Sequence, residues 1–144
     1  EKSGALTLTF SKFAMRDGKI SGCIDIRYPV CVVLEDVVAG LSAALEQAGV
    51  HYGRNMEEKP HIVPEDSEFV QKLLRVYSEV EGEPGCCIAI GGGTYVHTVE
   101  GGVAFGVERG NTDYHMHGND EFITEEELLK DAVLFACAIV DICG

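Results

Sequence analysis

His115, Met116 and His117 set two imidazoles two residues apart. On an extended chain residues i and i+2 face the same side, so both rings could reach one metal ion. Asp113, Asp120 and Glu121 stand close by and could add oxygen ligands or fix a ring N–H. The same residues also read as a polar loop of solvated histidines ahead of a helix. Gly91-Gly92-Gly93-Thr94 follows an apolar run. Successive glycines let a ligand approach the backbone, whose N–H groups can cradle an anion or a carbonyl oxygen. No Lys-Ser/Thr follows, and the spacing misses both the Walker phosphate loop and the dinucleotide fingerprint. A tight structural turn explains these glycines as well. Arg27, in Asp25-Ile26-Arg27-Tyr28-Pro29, closes an otherwise apolar strand, where a guanidinium could clamp a carboxylate through two parallel hydrogen bonds. The plainer alternative, favoured by charge balance, pairs it with Asp25 or another of the 24 acidic residues. His51, His61 and His97 lack such company and read as structural or exposed.

These residues depend on the elements that carry them. Leu6–Met15 and Ile20–Tyr28 alternate and are rich in β-formers, and Asp17-Gly18 between them supplies the positive φ angles of a tight hairpin. Leu34, Val37, Val38, Leu41, Leu45 and Ala48 recur at helical spacing, and Gly49 ends that helix. The stretch His51–Val63 is expected to hold one strand and a connection, broken at Pro60 and Pro64. A second helix is predicted over Ser67–Val80, closed by Gly82 and Pro84. Cys86–Ile90 and Val103–Val107 read as short apolar strands. A third helix opens on a capping box, Thr124 with Glu127, and its apolar run Leu128–Cys143 reads as buried. The order suggests an antiparallel hairpin, then helices packed on the edge of a sheet, an α+β or α/β mixture. A compositional boundary falls near Glu57–Pro64.

The chain has 144 residues, 46% hydrophobic and 24% charged, which argues for a folded chain of one domain or two small lobes. A net charge of −13 repels nucleic-acid phosphates and anionic membrane surfaces alike. No apolar run is long enough to span a bilayer. No secretory signal opens the chain, and a start at Glu1 without Met suggests a piece of something longer. The six cysteines form no C-x-x-C pair, and Cys86 and Cys87 are adjacent. Each lies in an apolar stretch, so buried thiols in a reducing, cytoplasmic setting are expected.

Four segments in one order carry a resemblance. They are Asp25-Ile26-Arg27-Tyr28-Pro29, Gly91-Gly92-Gly93-Thr94-Tyr95, Val103-Ala104-Phe105-Gly106 and His117-Gly118-Asn119-Asp120-Glu121-Phe122-Ile123. Together they resemble the C-terminal portion of the peptidase V-like and Xaa-His dipeptidases, di-zinc metallopeptidases related to aminoacylases and carnosinases. The resemblance implies that residues 1–60 are the C-terminal half of a ferredoxin-like lid domain, and that residues 61–144 return to the catalytic sheet domain. By the same resemblance His117 is the family's last zinc ligand, His115 is a neighbour, and Arg27 is the lid arginine that grips the substrate's C-terminal carboxylate. Gly92, Gly93 and Thr94 become substrate contacts.

The implied activity is hydrolysis of dipeptides on two zinc ions. The remaining ligands and the general-base glutamate lie upstream in the family, so this chain alone is expected to be inactive and to retain no zinc. Lid domains of related enzymes mediate dimer contacts, which makes a homodimer a further expectation. The family commonly continues its glycine loop as Tyr-Ala-Arg where this chain has Tyr95-Val96-His97, so any role of that arginine does not carry over and substrate preference could differ. The alternative is a non-catalytic ferredoxin-like module for small-molecule binding or dimerisation.

Overall fold

Apolar side chains near the start fall at Leu6, Leu8 and Phe10 and then at Phe13 and Met15, an alternation that slips by one position after Phe10. A regular ladder would send the second part of that set to the opposite face. In the computed structural model, which describes residues 3–54, 56–106 and 112–144, a β-bulge absorbs the slip. Strands β1 (Thr7–Arg16) and β2 (Lys19–Arg27) pair antiparallel. Phe10 lies opposite Ile24, but Lys12 lies opposite Cys23, and Ser11 is the extra residue. The Ser11 hydroxyl donates to the Cys23 carbonyl at 3.3 Å. Leu8, Phe10, Phe13 and Met15 therefore share a face with Ile20, Ile24 and Ile26, while Thr9, Lys12, Asp25 and Arg27 take the other. Asp17 (φ 50°) and Gly18 (φ 70°) make the turn expected of Asp-Gly.

Helix α1 (Leu34–Gln47) carries its apolar stripe half-buried. It ends as the sequence predicts. Gly49 sits at φ 69°, its N–H bonds the Glu46 carbonyl, and that of Val50 bonds the Leu45 carbonyl. Those are the two bonds of a Schellman stop. Helix α2 (Glu68–Glu81) starts on Ser67, whose side chain accepts from the Val70 amide, and stops at Gly82 in the left-handed region. Helix α3 (Glu125–Cys143) opens on the Thr124–Glu127 capping box.

Helices α2 and α3 pack together through Leu73, Val76, Leu134 and Ala138, with Tyr77, Val80, Val103 and Phe105 against them. Arg75 spans to Asp141 at 2.5 and 2.6 Å, and Lys130 reaches Glu81 at 2.5 Å. Phe105 meets Phe135 edge to face at 5.8 Å. Burial pushes the Tyr77 phenol above its ordinary range, and its hydrogen bond to Glu83 adds to that. Leu134 is wholly excluded from solvent. Leu134→Ala is therefore expected to destabilise the helix pair toward the lower end of roughly 2–5 kcal/mol, because so small a core can partly collapse. The midpoint of urea unfolding followed by circular dichroism reads this directly.

The chain divides into two compact units. One is Glu1–Ile62 with Ile88–Gly93, and the other is Val63–Cys87 with Thr94–Gly144. Among the described residues the architecture is α+β, three helices and one two-stranded antiparallel sheet. Three sequence expectations fail here. The strands expected within His51–Val63, at Cys86–Ile90 and over Val103–Val107 are absent from the described residues, and Val107 lies outside them. A strand exists only when a neighbour completes its ladder, and among the described residues these segments meet none. Ile88 and Ile90 stay 72% and 60% exposed. Helix α3 is not buried as a whole: only Leu134 and Ala138 are, because α2 covers a single stripe. Finally, no disulfide joins the cysteines, yet Cys31, Cys86, Cys87, Cys137 and Cys143 are exposed and Cys23 is half-buried. No helix among the described residues is long and apolar enough to cross a membrane.

Candidate functional site

Arg27 ends β2 on the polar face of the hairpin. Its Nε donates to Asp25 Oδ1 at 3.0 Å, two residues back along the same face. Its Nη1 donates to the Gly91 carbonyl, which draws the glycine loop beside the strand end. A Cβ added at Gly91 or Gly92 would lie 3.9 or 4.0 Å from the Arg27 side chain, and one at Gly93 would lie 3.6 Å from Glu58 Oε2. Glu58 is tied in turn to the hairpin end, because its carbonyl accepts from Tyr28 Oη at 3.3 Å. Arg27, Gly91 and Gly92 thus meet in one unit, with Gly93 against Glu58. None of these three glycines has a positive φ, so their contribution is an uncovered backbone.

The pairing with Asp25 is present, and the same guanidinium also meets the Gly91 carbonyl. A guanidinium has five N–H donors. Among the described residues Asp25 and Gly91 are the acceptors that meet it, which leaves Nη2 and the second Nη1 hydrogen able to take a carboxylate. The Arg27 side chain is half exposed, open to such a ligand. A cavity of about 290 Å³ in the same unit is lined by Tyr28, Val32, Leu34, Glu57, Lys59 and Pro60, among others, and by neither Arg27 nor the glycines.

Thr94 belongs to the other unit. Its hydroxyl accepts from the Val96 amide at 3.2 Å, and its own amide donates to His97 Nδ1 at 3.1 Å. These bonds cap the short 3-10 helix Tyr95–Thr98, so Thr94 has a structural task that the sequence reading did not assign.

His117 lies in this second unit, on the turn between Tyr114 and Phe122. The amide of Phe122 closes the turn on the Tyr114 carbonyl at 3.2 Å, and that of Gly118 closes a tighter one on His115 at 2.7 Å. A Cβ at Gly118 would stand 2.9 Å from the His115 carbonyl oxygen, so the fold requires glycine there. His115, His117 and Asp120 have φ of 54°, 62° and 59°. Left-handed backbone at three non-glycine residues so close together is uncommon. It also removes the extended geometry that would set both imidazoles on one side. His115 lies edge-on to Phe122 at 6.0 Å between ring centres, and both histidines are exposed. Asp113 accepts from the His115 amide at 2.9 Å and Glu121 from that of His117 at 3.4 Å. Asp113 and Glu121 therefore bind backbone. Among the described residues no three His, Cys, Asp or Glu side chains gather as a metal would need. Zinc takes four ligands in structural sites and three protein ligands in catalytic ones. The described donors do not fit a zinc ion by themselves.

No family model matches the chain. It is 36% identical over 129 residues to the Beta-Ala-Xaa dipeptidase of Lactobacillus delbrueckii subsp. lactis, a match that covers 87% of this chain and 26% of that protein. It is 34% identical over 143 residues to the Bacillus subtilis (strain 168) protein named "Putative dipeptidase YtjP", covering 99% of this chain and 30% of that one. A dipeptidase-named protein of Staphylococcus haemolyticus (strain JCSC1435) is 30% identical over 83% of this chain and 26% of its own length. The chain is thus similar to proteins named dipeptidases along most of its own length, and it spans between a quarter and a third of theirs.

Proposed function

We propose that this chain is the C-terminal portion of a zinc-dependent dipeptidase of the peptidase V-like kind. The observation that carries this reading is the similarity to dipeptidases over 87% and 99% of the chain. On this reading residues 1–60 are half of a ferredoxin-like lid, and residues 61–144 are part of the catalytic domain. Arg27 takes the C-terminal carboxylate of the dipeptide. A longer peptide would present a neutral amide at that position and lose the charge-assisted bonds. Gly92 and Gly93 leave room for the substrate beside Arg27. Thr94 is a contact only through atoms that its capping bonds do not use. His117 supplies one imidazole to a two-zinc centre whose other ligands come from the rest of the complete protein.

Two features support the incompleteness of the site. His117 is exposed on a turn, where a further part of the complete protein could reach its imidazole. Large apolar side chains, Phe10 and Phe13 on the hairpin and Ile139 and Val140 on α3 among them, stand exposed as they would if another part of a larger protein covered them. A cytoplasmic location is part of the same reading. The test compares the complete protein with the 144-residue chain on a panel of dipeptides, read by release of free amino acids. The complete protein is expected to turn over and the chain alone is not. Turnover by the chain alone, or an inactive complete protein, contradicts the reading.

A further inference from the structure

We infer that Glu127 is a positioning residue for His117, a single carboxylate that holds both ends of the histidine turn. This rests on the assignment of His117 to the dipeptidase site.

An ordinary capping box uses the N3 carboxylate to accept from the N-cap backbone, and that contact is present, with Thr124 N 3.2 Å from Glu127 Oε2. The Thr124 hydroxyl also donates to Oε2, at 2.5 Å. The other oxygen, Oε1, would face water in a plain cap. Here it accepts from the hydroxyl of Tyr114. Tyr114 is where the chain enters the turn and Thr124 is where it leaves for α3. Both Tyr114 and Glu127 are half-buried, and the Tyr114 ring packs on Phe122 at 5.8 Å.

Between those two fixed points the backbone carries the left-handed residues His115, His117 and Asp120. Backbone of that kind persists only where its surroundings over-determine it. The local bonds within the turn, Gly118 to His115 and Phe122 to Tyr114, close it but do not attach it to a rigid element. The Tyr114–Glu127 bond makes that attachment, to the first turn of a 19-residue helix. A reacting group displaced by about 1 Å can lose roughly a hundredfold in rate, so anchoring the turn matters to an imidazole that works from an exposed loop.

The test separates anchoring from simple helix capping. Tyr114→Phe removes the bond to Oε1 and leaves Thr124 and Glu127 to cap α3, so a variant that still folds is expected. In the complete protein, amide exchange at Gly118 and Phe122 should quicken about tenfold in this variant, while exchange at Leu128, whose N–H bonds Thr124 within the cap, should hold. Steady-state kinetics on a dipeptide should show kcat falling roughly ten- to a hundredfold with little change in KM. Glu127→Gln should loosen the turn in the same direction. Unchanged exchange at Gly118 and Phe122 overturns the inference. So does a loosened turn with unchanged kcat. If the wild-type protein hydrolyses no dipeptide, the functional reading fails and the positioning role fails with it; the exchange data would still show whether the anchor exists.

Discussion

His117→Ala in the complete protein is expected to lower kcat for dipeptide hydrolysis by at least about a hundredfold. Loss of a residue that merely supports a metal ligand costs roughly ten- to a hundredfold, and under the proposed function His117 is the ligand itself, whose loss should cost more. The effect should not come from unfolding. His117 is exposed, and its ring has no partner among the core residues of α2 and α3. Removing the left-handed strain of a non-glycine residue is not a factor either, because alanine at φ 62° is at least as strained as histidine. The zinc content of the purified variant should fall alongside kcat, with an unfolding midpoint close to that of the metal-free parent. His115→Ala is the matched control. Its ring lies against Phe122, so kcat should stay near the parent value. Equal losses in both variants would mean that the turn as a whole, and not the ring at 117, is what the reaction needs.

Arg27→Ala is expected to act on binding instead. Hydrogen bonds to charged groups contribute about 1.5–3 kcal/mol each, so KM for a dipeptide should rise roughly ten- to a hundredfold, with a smaller change in kcat. Arg27→Lys should recover little. An ammonium is a point charge, and it cannot bond Asp25 and the Gly91 carbonyl while offering two parallel donors to a carboxylate. Asp25→Asn is expected to fall between the parent and Arg27→Ala, because it weakens the bond that orients the guanidinium while keeping the guanidinium itself.

The parts of the fold that were legible in the sequence are those written in local chemistry. Asp17-Gly18 dictates the hairpin turn, Ser67 and Thr124 start their helices, and Gly49 and Gly82 stop theirs, each through angles or bonds within a few residues. Leu6–Met15 reads as a regular alternation, and the slip after Phe10 with its bulge at Ser11 emerges only from which β2 residues lie opposite. The strands expected at Cys86–Ile90 and Val103–Val107 fail for a related reason. An apolar run announces that it wants cover and says nothing about what provides it.

The candidate site divides in the same way. Arg27 and the glycines could be singled out by residue type, yet their meeting joins positions 64 residues apart, and nothing in either segment encodes the other. Asp25 was legible as a partner of Arg27 because it stands two residues away. Glu127 was legible as a helix cap. Its bond to Tyr114, thirteen residues earlier, was not, since a tyrosine at that distance follows no capping rule. Likewise the left-handed angles at His115 and His117 could not be read from residue types that usually avoid them.

The most direct measurement is kcat/KM of the complete protein for a dipeptide and for the same dipeptide with its C-terminal carboxylate amidated, in the parent and in Arg27→Ala. Under the proposed role of Arg27, the parent favours the free acid by about ten- to a hundredfold and the variant no longer distinguishes the two. An Arg27→Ala enzyme that keeps the parent's preference for the free carboxylate would contradict it.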